Sequence, residues 1–177
     1  DFTLTVTPVN DAPTIALPES FTFAEDSSLI DDFTQYIGDV DGDELMLTVS
    51  GNENITVSIE GFEVTFGTVL DWNDTETLTF TVNDNQGRAI AEDNIDIIVT
   101  PINDAPIITA IDGVSIFEDG FTEGNLVASD MDEDSLEFAV SSDTSAVTVD
   151  VNGSTLTLTP EADWNGIADI TVIVTDT

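Results

Sequence analysis

The tetrapeptide Asn10-Asp11-Ala12-Pro13 returns 93 positions later as Asn103-Asp104-Ala105-Pro106. A period of that length divides the 177-residue chain into two small domains of one kind, each large enough for a modest core. Proline after two oxygen-bearing side chains holds the chain extended and stops neighbouring secondary structure from running through, so each copy reads as a joint between modules. A divalent cation at such a joint would lock the modules on either side.

Phe2, Leu4 and Val6 alternate with threonine and run into Pro8, and a shift of 93 lays Ile95, Ile97, Val99 and Pro101 on them. Residues 1–9 are therefore predicted to be the last strand of a preceding module, or a donor strand. Module 1 is predicted over 10–102 and module 2 over 103–177. In module 1, alternating apolar runs predict strands at Ile15 and Leu17, Phe21 and Phe23, Leu45 to Val49, Ile55 to Ile59, Phe62 to Phe66, Leu78 to Val82 and Ile95 to Val99. One helical turn is placed near Phe33 to Tyr36. Module 2 repeats the order at Ile107 and Ile111, Ile116, Leu126, Leu136 and Phe138, Val147 and Val149, Leu156 and Leu158, and Ile170 to Val174. Loops rich in Asp, Asn and Gly complete the pattern of an all-β chain: two tandem antiparallel Greek-key β-sandwiches. After Thr177 no counterpart of the Ile95 to Thr100 strand follows, so module 2 is expected to present an open edge. Either the 177 residues are cut from a longer array, or Asp1 to Thr7 of one chain supplies that strand to a neighbour, giving head-to-tail fibres.

The 37 acidic residues face one basic residue, Arg88, for a formal charge of −36. That balance excludes nucleic acid and anionic membrane surfaces as partners, because both are held by Lys and Arg. Alternating apolar residues, 41% of the chain, set it apart from a disordered acidic tail. No Cys or His is present, which removes disulfides and the soft-donor metal sites. No apolar run is long enough to cross a bilayer, and any export signal is expected outside these residues.

Four acidic features recur in register. Glu25-Asp26 returns as Glu118-Asp119, Asp39-Val40-Asp41 as Asp130-Met131-Asp132, Asp71-Trp72-Asn73 as Asp163-Trp164-Asn165, and Asp84 as Asp176. Three carboxylates about 4 Å apart at an effective dielectric near 20 repel by on the order of 10 kcal/mol. A whole domain is stable by roughly 5–15 kcal/mol, so the groups must either splay into water or share a hard cation. Ca²⁺, which takes six to eight oxygen ligands in flexible geometry, is the expected cofactor. The plainer reading is that Asp and Asn favour turns because they bond their own backbone. An EF-hand is excluded for Asp39 onward, since Glu44 stands where that loop needs glycine and Ser50 where it needs glutamate. Trp72 and Trp164 admit a carbohydrate- or protein-binding alternative through exposed rings, against a structural anchor in both copies. Catalysis would need a carboxylate pair of glycosidase type in an apolar pocket, which nothing here indicates, so no enzyme is expected.

In its Val-Asn-Asp-Ala-Pro and Ile-Asn-Asp-Ala-Pro joints, Glu-Asp pairs, Asp-x-Asp loops and Asp-Trp-Asn turns the chain resembles the cadherin-like tandem repeats of large bacterial surface proteins and adhesins. The resemblance implies that the joint at 102–106 draws on Glu25 and Asp71, then Asn103 and Asp104, then Asp130, Asp132 and Asp176. It implies Asn10, Asp11, Asp39, Asp41 and Asp84 for the first joint, and Glu118 and Asp163 as the base of a further half site. Pro8 and Pro101 stand where cadherin linkers begin with Asp, and Asn73 and Asn165 replace a second carboxylate, so two Ca²⁺ rather than three are expected at the full joint. The implied role is a calcium-rigidified extracellular spacer of a bacterial adhesin or filament. Its partners would be neighbouring repeats or copies of itself.

Overall fold

The computed structural model describes residues 1–86 and 90–176; Arg88 lies outside them. The chain divides into two units, Asp1–Ile102 and Asn103–Thr177.

Unit 1 holds β1 (Thr14–Ile15), β2 (Ser20–Ala24), β3 (Leu29–Asp32), a 3-10 turn at Phe33–Gln35, β4 (Ile37–Gly38), β5 (Met46–Ser50), β6 (Ile55–Glu60), β7 (Glu63–Thr68), β8 (Asp74–Asn83) and β9 (Ile90–Thr100). One sheet has the order β2-β9-β8-β5, the other β3-β7-β6, and β1 pairs with β4. The period of two decides which side chains turn inward. Leu78, Phe80 and Val82 of β8 and Ile95, Ile97 and Val99 of β9 are buried against Ile55, Val64 and Phe66 of the opposite sheet. Phe33, completely buried, sits among aromatic rings, with its centroid 4.8 Å from that of Phe80. Asp32 starts the turn that carries it, its carboxylate accepting the Thr34 N–H at 3.0 Å. Trp72 packs against this core.

One pairing departs from the antiparallel expectation: β2 runs parallel to β9, Phe21 beside Ile97 and Phe23 beside Val99. Alternation is blind to strand direction, so the pattern could not show it. A parallel pair needs a long crossover, and here the rest of the unit supplies one. The predicted helical turn is present at Phe33–Gln35, whereas β3 and β4 were not expected.

Unit 2 holds β10 (Ile107–Ile108), β11 (Thr122–Asn125), β12 (Ala128–Ser129), β13 (Leu136–Ser142), β14 (Val147–Asn152), β15 (Thr155–Pro160) and β16 (Ile170–Asp176). Its sheets are β11-β15-β14, β13-β16 and β10-β12. The β6-β7 and β14-β15 hairpins share a two-residue loop beginning with glycine at positive φ, Gly61 at 66° and Gly153 at 59°, a conformation open to glycine at little cost. Leu126, Val147 and Leu156 are buried, but Ile170, Val172 and Val174 of β16 are only partly covered. Ile116, expected in a strand, lies outside any strand. Asp1 to Thr7 is likewise unpaired, with Phe2 94%, Leu4 78% and Val6 83% exposed.

Candidate metal centres

Two acidic clusters occupy opposite ends of unit 1, with β8 running between them. The first forms in the loop from β4 to β5. Asp39 Oδ1 accepts the backbone N–H groups of Asp41 at 2.8 Å and Gly42 at 2.9 Å, which curls the loop around that carboxylate. Its other oxygen, Oδ2, is buried with no hydrogen-bond partner. Ligand oxygens of Asp39, Asp41 and Asp43 lie within 4.8 Å of one another. The joint residues close over them: the Asp11 N–H donates to Asp41 Oδ2 at 2.7 Å, and Asn10 Nδ2 donates to Asp84 Oδ2 at 2.8 Å. Asp84 is 1% exposed, and its carboxyl is held below the usual carboxylate range, first by the Asn10 amide and then by the Gln86 N–H. Asp43 is pushed the other way, by desolvation and then by repulsion from Asp39, Asp41 and Asp84.

Unit 2 repeats the arrangement. Asp130 Oδ1 accepts the N–H groups of Asp132 at 3.0 Å and Asp134 at 3.3 Å, and Asp130 Oδ2 is buried without a partner. Asp130, Asp132 and Asp134 bring ligand oxygens within 4.8 Å. The Asp104 N–H donates to Asp132 Oδ2 at 2.7 Å and Asn103 Nδ2 to Asp176 Oδ2 at 2.9 Å. Thus Asn10, Asp11, Asp39, Asp41 and Asp84 come together, as do Asn103, Asp104, Asp130, Asp132 and Asp176.

At the other end of unit 1 the parallel pair β2 and β9 both run out where β8 begins. Glu25, just past β2 and 1% exposed, therefore meets residues from both other strands. Its Oε1 accepts the Ile102 N–H at 2.8 Å and the Asn73 Nδ2 amide at 3.1 Å. Asp26 and Asp71, at φ 57° and 54°, bring carboxylate oxygens within 4.8 Å of each other. The same positions in unit 2, Asp119 and Asp163, have φ 63° and 57°, and Asp119 Oδ1 accepts the Asp163 N–H at 3.0 Å. Aspartate tolerates the left-handed region better than most residues, and its recurrence here fixes where these carboxylates point. Glu118, in contrast to Glu25, is exposed.

The donor chemistry suits a hard cation. Each loop cluster offers carboxylate oxygen, with amide and backbone carbonyl oxygen nearby, and lacks sulfur and imidazole. Oxygens up to 4.8 Å apart fit around an ion whose bonds to oxygen are about 2.3–2.6 Å.

Residues 10–98 and 103–177 each match the family model described as Bacterial Ig domain. The chain belongs to that family. Bacterial Ig domains are typical of extracellular surface proteins, and a fold of this kind is non-enzymatic. No curated protein matches the chain. Among solved structures, human protocadherin-24 EC1-2 aligns at TM-score 0.58 and 17% identity, over 94% of this chain and 88% of that one. Drosophila N-cadherin EC1-4 aligns at TM-score 0.54 and 17% identity, over 94% of this chain and 49% of that one. These likenesses show a cadherin-like sandwich for the bacterial Ig repeats. An endo-fucoidan hydrolase of glycoside hydrolase family 107 aligns at TM-score 0.46 and 16% identity; the chain spans only 29% of its length.

Three members of these clusters escaped the sequence reading of the two Ig repeats. Asp43 and Asp134 complete Asp-x-Asp-x-Asp runs whose first two members were chosen, and Asp26 was passed over for its neighbour Glu25. For Asp43 and Asp134 the signal was the spacing of two, which returns a third carboxylate to the same side of a tightly curled loop.

Proposed function

We propose that this chain is a calcium-rigidified spacer of an extracellular bacterial surface protein, an adhesin or filament. Among the described residues three carboxylate oxygens are buried without a hydrogen-bond partner; Asp31 Oδ2 lies on β3 away from the clusters, and the two that carry the reading, Asp39 Oδ2 and Asp130 Oδ2, lie inside the loop clusters. A buried carboxylate oxygen without a donor, among two further carboxylates, is costly, and a divalent cation removes both the desolvation and the repulsion. Asp39, Asp41, Asp43 and Asp84 would hold calcium in unit 1, and Asp130, Asp132, Asp134 and Asp176 in unit 2. Glu25 and Asp71 would add ligands at the other end of unit 1, where Ile102 leads directly into Asn103 and Asp104.

A spacer needs stiffness along each repeat as well as at the joints. β8 supplies it in unit 1: ten residues of central strand, roughly 30 Å long, connect one acidic cluster to the other. Calcium at the joint would extend that stiffness from one repeat to the next, turning a flexible string into a rod.

Calorimetric titration of metal-free protein with CaCl₂ should count at least one ion for each of the two loops, and a chelator should lower the melting temperature. Asp104→Ala should uncouple the repeats in X-ray scattering, while Asp150→Ala, on an exposed position of β14, should leave the curve unchanged. No calcium uptake together with identical melting in chelator would sink the proposal.

A further inference from the structure

We propose that Asn152 is the acceptor of an N-linked glycan, the one asparagine of this chain whose place in the fold suits it to that modification. The proposal stands apart from the calcium reading. Three Asn-x-Ser/Thr triplets occur: Asn54-Ile55-Thr56, Asn73-Asp74-Thr75 and Asn152-Gly153-Ser154. Such a triplet is modified when the asparagine amide and the hydroxyl both enter one transferase site, so it must be exposed and free to leave its own surroundings. The three are alike in sequence, and the fold separates them.

Asn54 is tied into unit 1. Its N–H donates to Glu76 Oε2 at 2.8 Å, its carbonyl accepts the Val69 N–H at 2.9 Å, and the middle residue Ile55 is 1% exposed. Presenting this triplet would draw a core side chain into water. Asn73 stands at the surface, but its amide is committed: Nδ2 donates to Glu25 Oε1 at 3.1 Å and to Oε2 at 3.3 Å. Glu25 is buried, so withdrawing that amide takes a donor from a buried carboxylate.

Asn152 meets neither obstacle. It ends β14, and the period of two places it with Thr148 and Asp150 on the exposed face of that strand, away from Val147, Val149 and Val151. Its pairing with Thr155 closes the loop Gly153-Ser154, so the chain reverses within the triplet and carries amide and hydroxyl round one turn. Gly153, at φ 59°, has no side chain to withdraw from the core. Ser154 Oγ donates to Asn125 Oδ1 at 2.9 Å in an exposed bond, and its oxygen still accepts. The matching position in the β6-β7 hairpin is Glu60, so one glycan per chain is expected, on unit 2.

The co-substrate is a sugar activated as a diphosphate ester, carried on a polyisoprenyl lipid or on a nucleotide. A bond forms between Asn152 Nδ2 and the anomeric carbon as the bond from that carbon to the diphosphate oxygen breaks. The diphosphate leaves with the electron pair, and the amide gives one proton to a base of the transferase.

The test incubates folded protein in two arms, each with a transferase that accepts synthetic peptides of all three triplets. One arm supplies a membrane enzyme with a lipid-diphosphate oligosaccharide, the other a soluble enzyme with a nucleotide-diphosphate hexose. Intact mass should rise by one glycan in at least one arm, which identifies the donor, and peptide mapping should place it on Asn152. Asn152→Gln and Ser154→Ala, both at exposed positions, should each abolish the gain and keep the melting curve. Protein that stays unmodified in both arms, or that takes the sugar at Asn54 or Asn73 instead, would overturn the proposal.

Discussion

At the scale of single residues, the feature with most consequence is a carboxylate that spends one oxygen on its own loop and leaves the other buried. Asp39 and Asp130 both do so. Asp39→Asn and Asp130→Asn keep the shape but remove a charged ligand, and each is expected to weaken calcium binding by about tenfold or more in calorimetric titration while raising the metal-free melting temperature, because one buried, mutually repelling charge is gone. Asp32 gives a separate, metal-independent test. Its carboxyl is held below the usual value by the Thr34 N–H, so its contribution is present above the ordinary pKa of 3.8 and is lost as pH falls through the lower folded value. Asp32→Ala should therefore melt below unaltered protein at neutral pH, with the difference narrowing in melts taken in acid. A gap that stays constant down to strongly acid pH would show that the charge is irrelevant.

At the scale of elements, β9 organises unit 1 because it bonds on both edges and sends Ile95, Ile97 and Val99 into the core. Ile97→Ala should cost about 2–5 kcal/mol in urea unfolding, the usual range for a buried aliphatic side chain cut back to alanine. Ile173, on β16, is 55% exposed, and Ile173→Ala should change stability by no more than about 0.5 kcal/mol. The indole of Trp164 lies close over Gly166, where an added Cβ would come within 2.7 Å of the ring. Gly166→Ala should therefore displace the ring and shift tryptophan fluorescence.

At the scale of the whole molecule, the two repeats have similar sequences but unequal cores. Unit 1 encloses Phe33, Phe66 and Phe80 completely, while unit 2 has the smaller Leu158 and Val172 at the positions of Phe66 and Phe80. Since stability follows the apolar area removed from water, calorimetry should resolve two transitions, with unit 2 melting first. Phe80→Ala should lower only the upper transition, by a change equivalent to about 3–5 kcal/mol. Calcium should raise both, because each unit has its own loop cluster.

The sequence by itself determined the class and the repeat. Alternation at a period of two marks the inward face of every long strand. The doubled Asn-Asp-Ala-Pro joint fixes the period, and an acidic chain without His or Cys confines any bound metal to hard cations. That Asn10 and Asp11 belong with Asp41 and Asp84, and their copies in unit 2 likewise, was implied by the resemblance to cadherin-like repeats, whereas the period showed only that the same side chains return in the same order. Only the tertiary structure decided strand direction, since parallel β2 and β9 read the same as an antiparallel pair. That direction places Glu25, Asn73 and Ile102 at one end of the unit. Tertiary structure also decided which carboxylates were left with an unpartnered oxygen. Spacing along a chain says which groups are near in sequence, but how the loop N–H groups are shared among them depends on backbone curvature that no single residue specifies.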